Sequence, residues 1–408
     1  MTTTINNEHK KLNVPNLRFP EFQGEWEKCK LGELTTKVGS GSTPKGGNAV
    51  YTSVGHCFVR SQNVGMGYLI LDDIAHIDDD IHKKHKATEI NEDDVLLNIT
   101  GASIGRTAIA TKEIEGGNVN QHVCIIRANS KVSPKFLCNY IQTKKIQNYI
   151  QSLQTGGSRE GLNFEQIRSF PISLPGIAEQ NQIAQLLNKL NERIATQNKI
   201  IEDLKKLKCA IIEKHYLQAK LHKYKICDLG VPFSVGSLSK EDLSEKGHEC
   251  ILYGELFTTY DCVINEVKSH TNKIANTTLS QKGDLVFPSS TTVDAVSLIS
   301  PSVIDIPNVI LGGDMFGIHI DKKFNAYYLS YYINLIARKK LAIYAKGSTI
   351  IHLHYNDIAN AQLLLPELCE QDKIAKCMIA EDNKIKVEEQ LLTKLEKQKQ
   401  YLLRQMFV

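Results

Sequence analysis

Several loops set Arg, Asn, Gln, Ser and Thr beside glycine. In the first part of the chain they are residues 39–47 (GSGSTPKGG), 60–65 (RSQNVG), 99–107 (ITGASIGRT), 118–122 (NVNQH) and 155–160 (TGGSRE). Further on come residues 252–260 (LYGELFTTY), 288–295 (PSSTTVDA), 311–315 (LGGDM) and 346–354 (KGSTIIHLH). Such side chains carry the donors and acceptors that hydrogen-bond base edges and clamp phosphates. The first group offers Lys45, Arg60, Asn63, Thr100, Ser103 and Arg106, then Asn120, Gln121, His122, Ser158 and Arg159. The second offers Tyr253, Glu255, Thr258, Ser289, Ser290 and Thr291, then Thr292, Asp294, Asp314, Lys346, Ser348 and Thr349. Taken alone, each loop reads more simply as a polar turn. The occurrence of such loops in both halves of the chain is what points to nucleic acid.

Other chemistry is thin. His82–His85 (HKKH) resembles half of a metal site, but nothing nearby completes the ligand count zinc needs, so a solvated loop is expected. His352 and His354 alternate onto one face of a strand, again without partners. There is no Gly-x-x-x-x-Gly-Lys loop, no strand-embedded Gly-x-Gly-x-x-Gly cradle, no Asn/Asp-Pro-Pro-aromatic motif and no Gly-x-Ser-x-Gly elbow. The ten cysteines include no Cys-x-x-Cys pair, which argues against a zinc ribbon or a disulfide framework and for free thiols in a reducing cytoplasm. A net charge of +4 permits a polyanionic partner without requiring one. The polar start, MTTTINNEHKK, does not resemble a secretory signal, and no apolar run is long enough to span a membrane. The composition fits a reader or adaptor better than a catalyst, and no cofactor is expected in this chain.

The elements that must hold these loops come in two copies. Residues 173–184 read SLPGIAEQNQIA and residues 364–375 read LLPELCEQDKIA. With Pro175 on Pro366, an offset of 191 residues, Gly156 falls on Gly347, Phe164 on Tyr355 and Ile167 on Ile358. Glu179, Gln180, Ile183 and Ala184 fall on Glu370, Gln371, Ile374 and Ala375. A looser match runs upstream, with EDDVLLNIT at 92–100 opposite QKGDLVFPSS at 281–290 and KFLCNYI at 135–141 opposite YYLSYYI at 327–333. Whole domains in two copies explain this better than a solenoid, whose periods are shorter.

After each proline the apolar positions follow the seam of a long helix: Ile183, Leu187, Leu190, Ile194, Ile201, Leu204 and Ile211, then Ile374, Met378, Ile385, Leu392, Leu395 and Leu402. About 40 residues at 1.5 Å each make a rod of roughly 60 Å, far longer than the usual globular helix. Proline suits the start of each helix, and Glu179 and Glu370 sit in first turns, where the helix dipole favours a carboxylate. The simplest partner for each rod is the other, in antiparallel pairing. Glu381 stands where the first copy has Leu190, and Lys208 and Lys399 occupy matched seam positions.

Around the rods, strands such as DDVLLNIT and HVCIIRA precede a helix over residues 133–151, with Ser133 as its cap, so each lobe is expected to be α/β or α+β. The expected plan is a strap over 1–22, whose Phe19 and Phe22 pack on the first lobe together with the following Trp26, a lobe over 23–175, a rod over 176–220, a lobe over 221–366 and a rod over 367–408.

PNLRFPEFQGEWEKCKLGEL at 15–34, the block TGGSREGLNFEQIRSFPISLPGIAEQNQIAQLLNKLNERI at 155–194 and its echo KGSTIIHLHYNDIANAQLLLPELCEQDKIA at 346–375 resemble the specificity subunit of type I restriction–modification systems. The resemblance covers nearly the whole chain. It implies two target-recognition domains, each reading half of a split site in double-stranded DNA, held apart by two helices in an antiparallel coiled coil. It implies two modification subunits that bind S-adenosylmethionine and methylate adenine, and motor subunits that use ATP with Mg2+ to translocate and cleave DNA. The repeated pairs Glu179–Gln180 and Glu370–Gln371 then become candidates for docking those partners. The competing reading is a scaffold whose two lobes bind proteins and not DNA.

Overall fold

The computed structural model describes residues 12–154 and 161–408. The chain forms two compact units. The first takes the chain up to Ile200 together with Glu389–Val408, and the second is Ile201–Glu388.

In the first unit a four-stranded sheet has the order Thr35–Ser40, Val123–Ala128, Val95–Asn98, Thr107–Ile109, and all neighbours are antiparallel. A three-stranded sheet, Ala75–Ile77, His56–Val59 and Asn118–Val119, lies beside it. The strand Val95–Asn98 is buried along its whole length, and alternation explains why. Val95 and Leu97 face a core shared with the helix Pro134–Ile141, whereas Leu96 faces a second core with Val59, Val64 and Val119. A strand covered on both faces reads as an unbroken apolar run.

The second unit repeats the plan with more strands. Its main sheet runs Gly230–Ser234, Met315–Ile320, Asp284–Pro288, Ser302–Ile304, Val263–Ile264. Leu285 and Phe287 join the core with the helix Ala326–Tyr332, and Val286 joins the core on the other face. Another five-stranded sheet centres on His248–Leu252, paired in parallel with Ile310–Gly312 as His56–Val59 is with Asn118–Val119. In each unit a two-stranded ribbon ties the start of the lobe to the strand before its long helix: Glu27–Lys30 with Pro171–Leu174, and His222–Lys225 with Gln362–Leu365.

The long helices are Ile177–Gln218 and Leu368–Gln405. Within the first unit the start of one packs on the end of the other: Ile183 and Leu187 share a core with Leu403, Met406 and Phe407, and Leu190 and Ile194 meet Leu395. Within the second unit Ile212 shares a core with Ile374 and Met378. Both pairings are antiparallel. The seam drifts by one residue at the helix ends, where Ile212 and Leu403 are buried and the expected Ile211 and Leu402 are only half-buried.

Three expectations are corrected. Residues 82–85 are not a solvated loop: the helix Asp79–Lys84 buries His82, which bonds Asn118 Oδ1 through Nδ1 at 2.8 Å and stacks on His56 at 3.8 Å. The helix expected over 133–151 breaks after Ile141, and Thr143 caps a new one, Lys144–Ser152, by accepting from Ile146 N–H. Ser133 occupies the cap position, but its side chain makes no capping bond.

The strap is anchored where the start of the first long helix meets the end of the second. Leu17 N–H donates to the Gln405 carbonyl at 2.9 Å, and the Arg18 guanidinium forks onto Glu179 with two bonds of 2.8 Å. Trp26 is buried between Phe136 and Phe407, and Phe19 is half-buried against the same core.

Candidate nucleic-acid interface

Three neighbouring strands of the first lobe end at one sheet edge. The chain leaves Ser40 and Asn98 there and enters Val123 there, because the middle strand runs opposite to its neighbours. Ile99 N–H donates to the His122 carbonyl at 3.0 Å, which continues the ladder into the loops. Side chains then join in a row. Thr43 Oγ1 donates to Gln121 Oε1, Gln121 Nε2 lies 3.0 Å from His122 Nε2, and His122 Nδ1 lies 2.6 Å from Thr100 Oγ1. The close approach of the 39–47 loop requires Gly41, since a Cβ there would sit 1.6 Å from the Val119 carbonyl oxygen.

The other first-lobe candidates divide by role. Asn120 is buried and its Oδ1 accepts from His122 N–H at 3.0 Å, bracing the turn. Asn63 is also buried, accepting from Arg60 N–H and donating to the Ile70 carbonyl, both at 2.9 Å. Arg60 pairs with Asp73 at 3.2 Å and lies over the Tyr51 ring. Ser103 Oγ accepts from Asn98 Nδ2 at 3.1 Å. Lys45 and Arg106 are exposed. Ser158 and Arg159 lie outside the described residues.

The second lobe builds the same edge. Ser289 N–H donates to the Asp314 carbonyl at 2.8 Å, and Leu353 N–H donates to the Ser289 carbonyl at 2.9 Å. These match Ile99 to His122 and Leu162 to Ile99 in the first lobe. A cavity of about 780 Å³ opens at this edge, and Tyr253, Thr258, Ser290, Thr291, Thr292 and Asp314 are brought together in its lining. Sequence reasoning missed Phe257 and Arg338, which also line it, and it set His352 aside as a lone histidine. Arg338 sits in the helix Arg338–Ala342, where a basic run looks like a solvated face.

The remaining second-lobe candidates hold the fold. Glu255 accepts from Leu252 N–H at 2.8 Å and from Ser269 Oγ at 2.6 Å. Asp294 caps the helix Ala295–Leu298, and the Ser297 N–H holds its carboxyl below the usual range. Ser289 is buried, Lys346 pairs with Asp357 at 2.6 Å, and Ser348 and Thr349 are exposed.

The repeated Glu-Gln pairs are largely spent inside the chain. Gln180 and Gln371 are each 1% exposed. Gln180 Oε1 accepts from Ser133 N–H and its Nε2 donates to the Pro175 carbonyl, both at 2.8 Å. Gln371 does the same with Asn325 N–H at 2.9 Å and the Pro366 carbonyl at 2.8 Å. The expectation that these glutamines face a partner is therefore corrected: each ties the start of its long helix to the cap of a lobe helix. Glu179 is buried by Arg18, while Glu370 keeps partial exposure beside His215 and Lys373.

A family model described as the type I restriction modification DNA specificity domain matches twice, over residues 23–206 and 226–397. The chain belongs to this family of specificity subunits. The two matches are its two target-recognition domains, each with its stretch of long helix. Among curated sequences it is 21% identical over 417 residues to a Methanocaldococcus jannaschii protein provisionally named the type I restriction enzyme MjaX specificity subunit, covering 97% of this chain and 96% of the relative. The MjaVIII specificity subunit of the same organism is 24% identical over 347 residues, covering 78% of this chain and 79% of that one. The fold matches the crystal structure of the type I restriction–modification S subunit from M. genitalium with a TM-score of 0.63 at 15% identity, covering 97% of this chain and 99% of that one. Among the described residues no group of His, Cys, Asp and Glu could hold a metal ion, and no helix is long and apolar enough to cross a membrane.

Proposed function

We propose that each target-recognition domain reads one half of a bipartite site in double-stranded DNA, and that the paired long helices set the gap between the halves. The observation that carries this is the repeated sheet edge. One backbone ladder, Ile99 on His122 and Ser289 on Asp314, presents loops of different sequence in the two lobes. A common frame with different polar side chains suits two different half-sites read in the major groove.

The chain works without an active site of its own. It directs two modification subunits, which bring S-adenosylmethionine for adenine methylation, and motor subunits, which bring ATP and Mg2+ for restriction. Docking falls to the exposed faces of the helices and includes Glu370. The setting is cytoplasmic, where DNA and the partner subunits meet.

Long-read sequencing of methylated DNA, in cells with and without this chain, tests the reading. A bipartite adenine-methylation motif should appear only with it. Adding one heptad to both rods lengthens them by about 10 Å, or roughly three base pairs of rise. The bases should stay and the gap should change, or binding should fail through helical misphasing. An unchanged gap contradicts the ruler, and a motif that does not depend on the chain contradicts the function.

A further inference from the structure

His122 and Asp314 stand at the same point of the two lobes. Asn98 is opposite Val123 and Pro288 is opposite Met315, so the residue entering the middle strand is His122 in one lobe and Asp314 in the other. The next ladder bond confirms the register, from Ile99 N–H to His122 and from Ser289 N–H to Asp314. Thr100 and Ser290 are then matched as well, and both pair onward with the segment before the lobe's last short helix, at Gly161 and His352.

The chemistry at the matched point is opposite. In the first lobe Thr43 donates to Gln121 Oε1, so the Gln121 amide nitrogen faces His122 Nε2. A donor there makes Nε2 the acceptor and puts the ring proton on Nδ1, which donates to Thr100 Oγ1 at 2.6 Å. Each donor is thereby passed along, leaving the Thr100 hydroxyl proton and the second Gln121 N–H without a partner among the described residues. In the second lobe Asp314 lines the open cavity beside Ser290, with no hydrogen-bond or ion-pair partner for its carboxylate among the described residues. An ionised carboxylate accepts and cannot donate.

We propose that this matched position sets the polarity of each half-site. The first lobe presents two donors and selects guanine, whose O6 and N7 are paired acceptors in the major groove. The second lobe presents Asp314 and selects an exocyclic amino group, N6 of adenine or N4 of cytosine. The inference rests on the half-site reading above and assigns which base class each lobe takes.

The test uses the wild-type chain with its modification subunits, first to obtain the bipartite motif and then to bind duplexes carrying base analogues. 7-Deazaguanine lacks N7, and placed in the first lobe's half-site it should weaken binding about 5- to 100-fold. Purine in place of adenine, or a pyrimidine lacking the N4 amino group in place of cytosine, should do the same in the second half-site. Two full-chain variants assign the lobes: Gln121→Glu should relax the motif only in the guanine half, and Asp314→Asn only in the amino half. Their thermal melting reports whether each has folded. If no bipartite motif is found, the half-site reading itself fails. If the motif is found but the analogues have no effect, or Gln121→Glu and Asp314→Asn each leave it unchanged, the polarity assignment is overturned while that reading stands.

Discussion

Gln180 and Gln371 make the same two hydrogen bonds, each joining the N–H of a lobe-helix cap residue to the carbonyl of the proline that precedes its own long helix. Both are buried, so removing either side chain leaves a donor and an acceptor without water or partner. Each orphaned group costs about 1–3 kcal/mol. Gln180→Leu and Gln371→Leu should each lower stability by about 2–4 kcal/mol in urea unfolding at pH 7. A loss below about 0.5 kcal/mol, the usual range of surface changes, would show that the repeated glutamine is not a structural tie.

Lys399 and Lys208 sit at matched seam positions with unmatched partners. Lys208 pairs with Asp382, which also accepts from Tyr331 OH at 2.5 Å. Lys399 is buried with Nζ donating to the Met66 carbonyl at 2.9 Å, and the residue matched to Asp382 is the neutral Asn191. Burial pulls its ammonium down to about 8. The unfolded chain holds that proton to about pH 10.4. Between those values the unfolded state binds more protons than the folded one, so stability rises with pH across that window. Asn191→Asp should supply a counter-charge, raise the folded value and flatten the rise. Chemical unfolding of both proteins from pH 7 to 10.5 checks this, and an equal slope in the two would remove Asn191 from the account.

Arg106 is exposed in the loop that follows Thr100 in the first lobe, and Thr292 lines the second lobe's cavity. If the lobes read independently, Arg106→Ala and Thr292→Ala should each relax one half-site only. Each lost base contact costs about 1–3 kcal/mol, whereas loss of a phosphate contact weakens all sequences alike and lowers the salt slope by about one. Binding titrations at two salt concentrations, on duplexes altered in one half-site at a time, separate these outcomes. A change in the half-site read by the other lobe contradicts modular reading.

The rods were legible because a sustained apolar period over about 40 residues has one physical solution, a helix that hides its seam against another. The strand Val95–Asn98 was legible as an apolar run, but the run could not show that its two faces enter different cores. The site was legible as loops and not as contacts. Thr43, Gln121, His122 and Thr100 come from three segments of the chain, and only the sheet register puts them in one row. Asn63, Asn120 and Glu255 have the composition of readers but are consumed by turns, because a short polar side chain satisfies a nearby backbone group before it faces solvent. The buried His82 was misread for the opposite reason: Asn118, which satisfies it, is 36 residues away.

The matched cores predict what half of the chain does alone. Phe407 packs on Tyr140 at 5.4 Å in the first unit, and Tyr216 packs on Tyr332 at 5.5 Å in the second. Tyr216 and Ile212 precede Phe407 and Leu403 by 191 residues, the offset of the repeat. A chain ending after Lys220 lacks Leu403, Met406 and Phe407, which leaves Trp26 and Phe136 facing a gap. A second copy of the fragment carries Ile212, His215 and Tyr216 at the corresponding positions and can fill it. Burying such side chains contributes on the order of 10 kcal/mol before ordering costs, enough to drive association. Two-fold symmetry makes the pair antiparallel and isologous, with Leu190 in both seams where Glu381 stands in the full chain's second half. It also sets Asn191 against Lys208 twice, so neither lysine has its carboxylate. Asn191→Asp in the fragment should restore both pairs and tighten the dimer, which Asn191→Leu should not do at pH 7. Light scattering of the three fragments at micromolar concentration reads the outcome: dimers throughout, with the aspartate variant the last to dissociate on dilution. A folded monomer at that concentration contradicts the equivalence of the two halves, and equal dissociation of the aspartate and leucine variants contradicts the charge pairing.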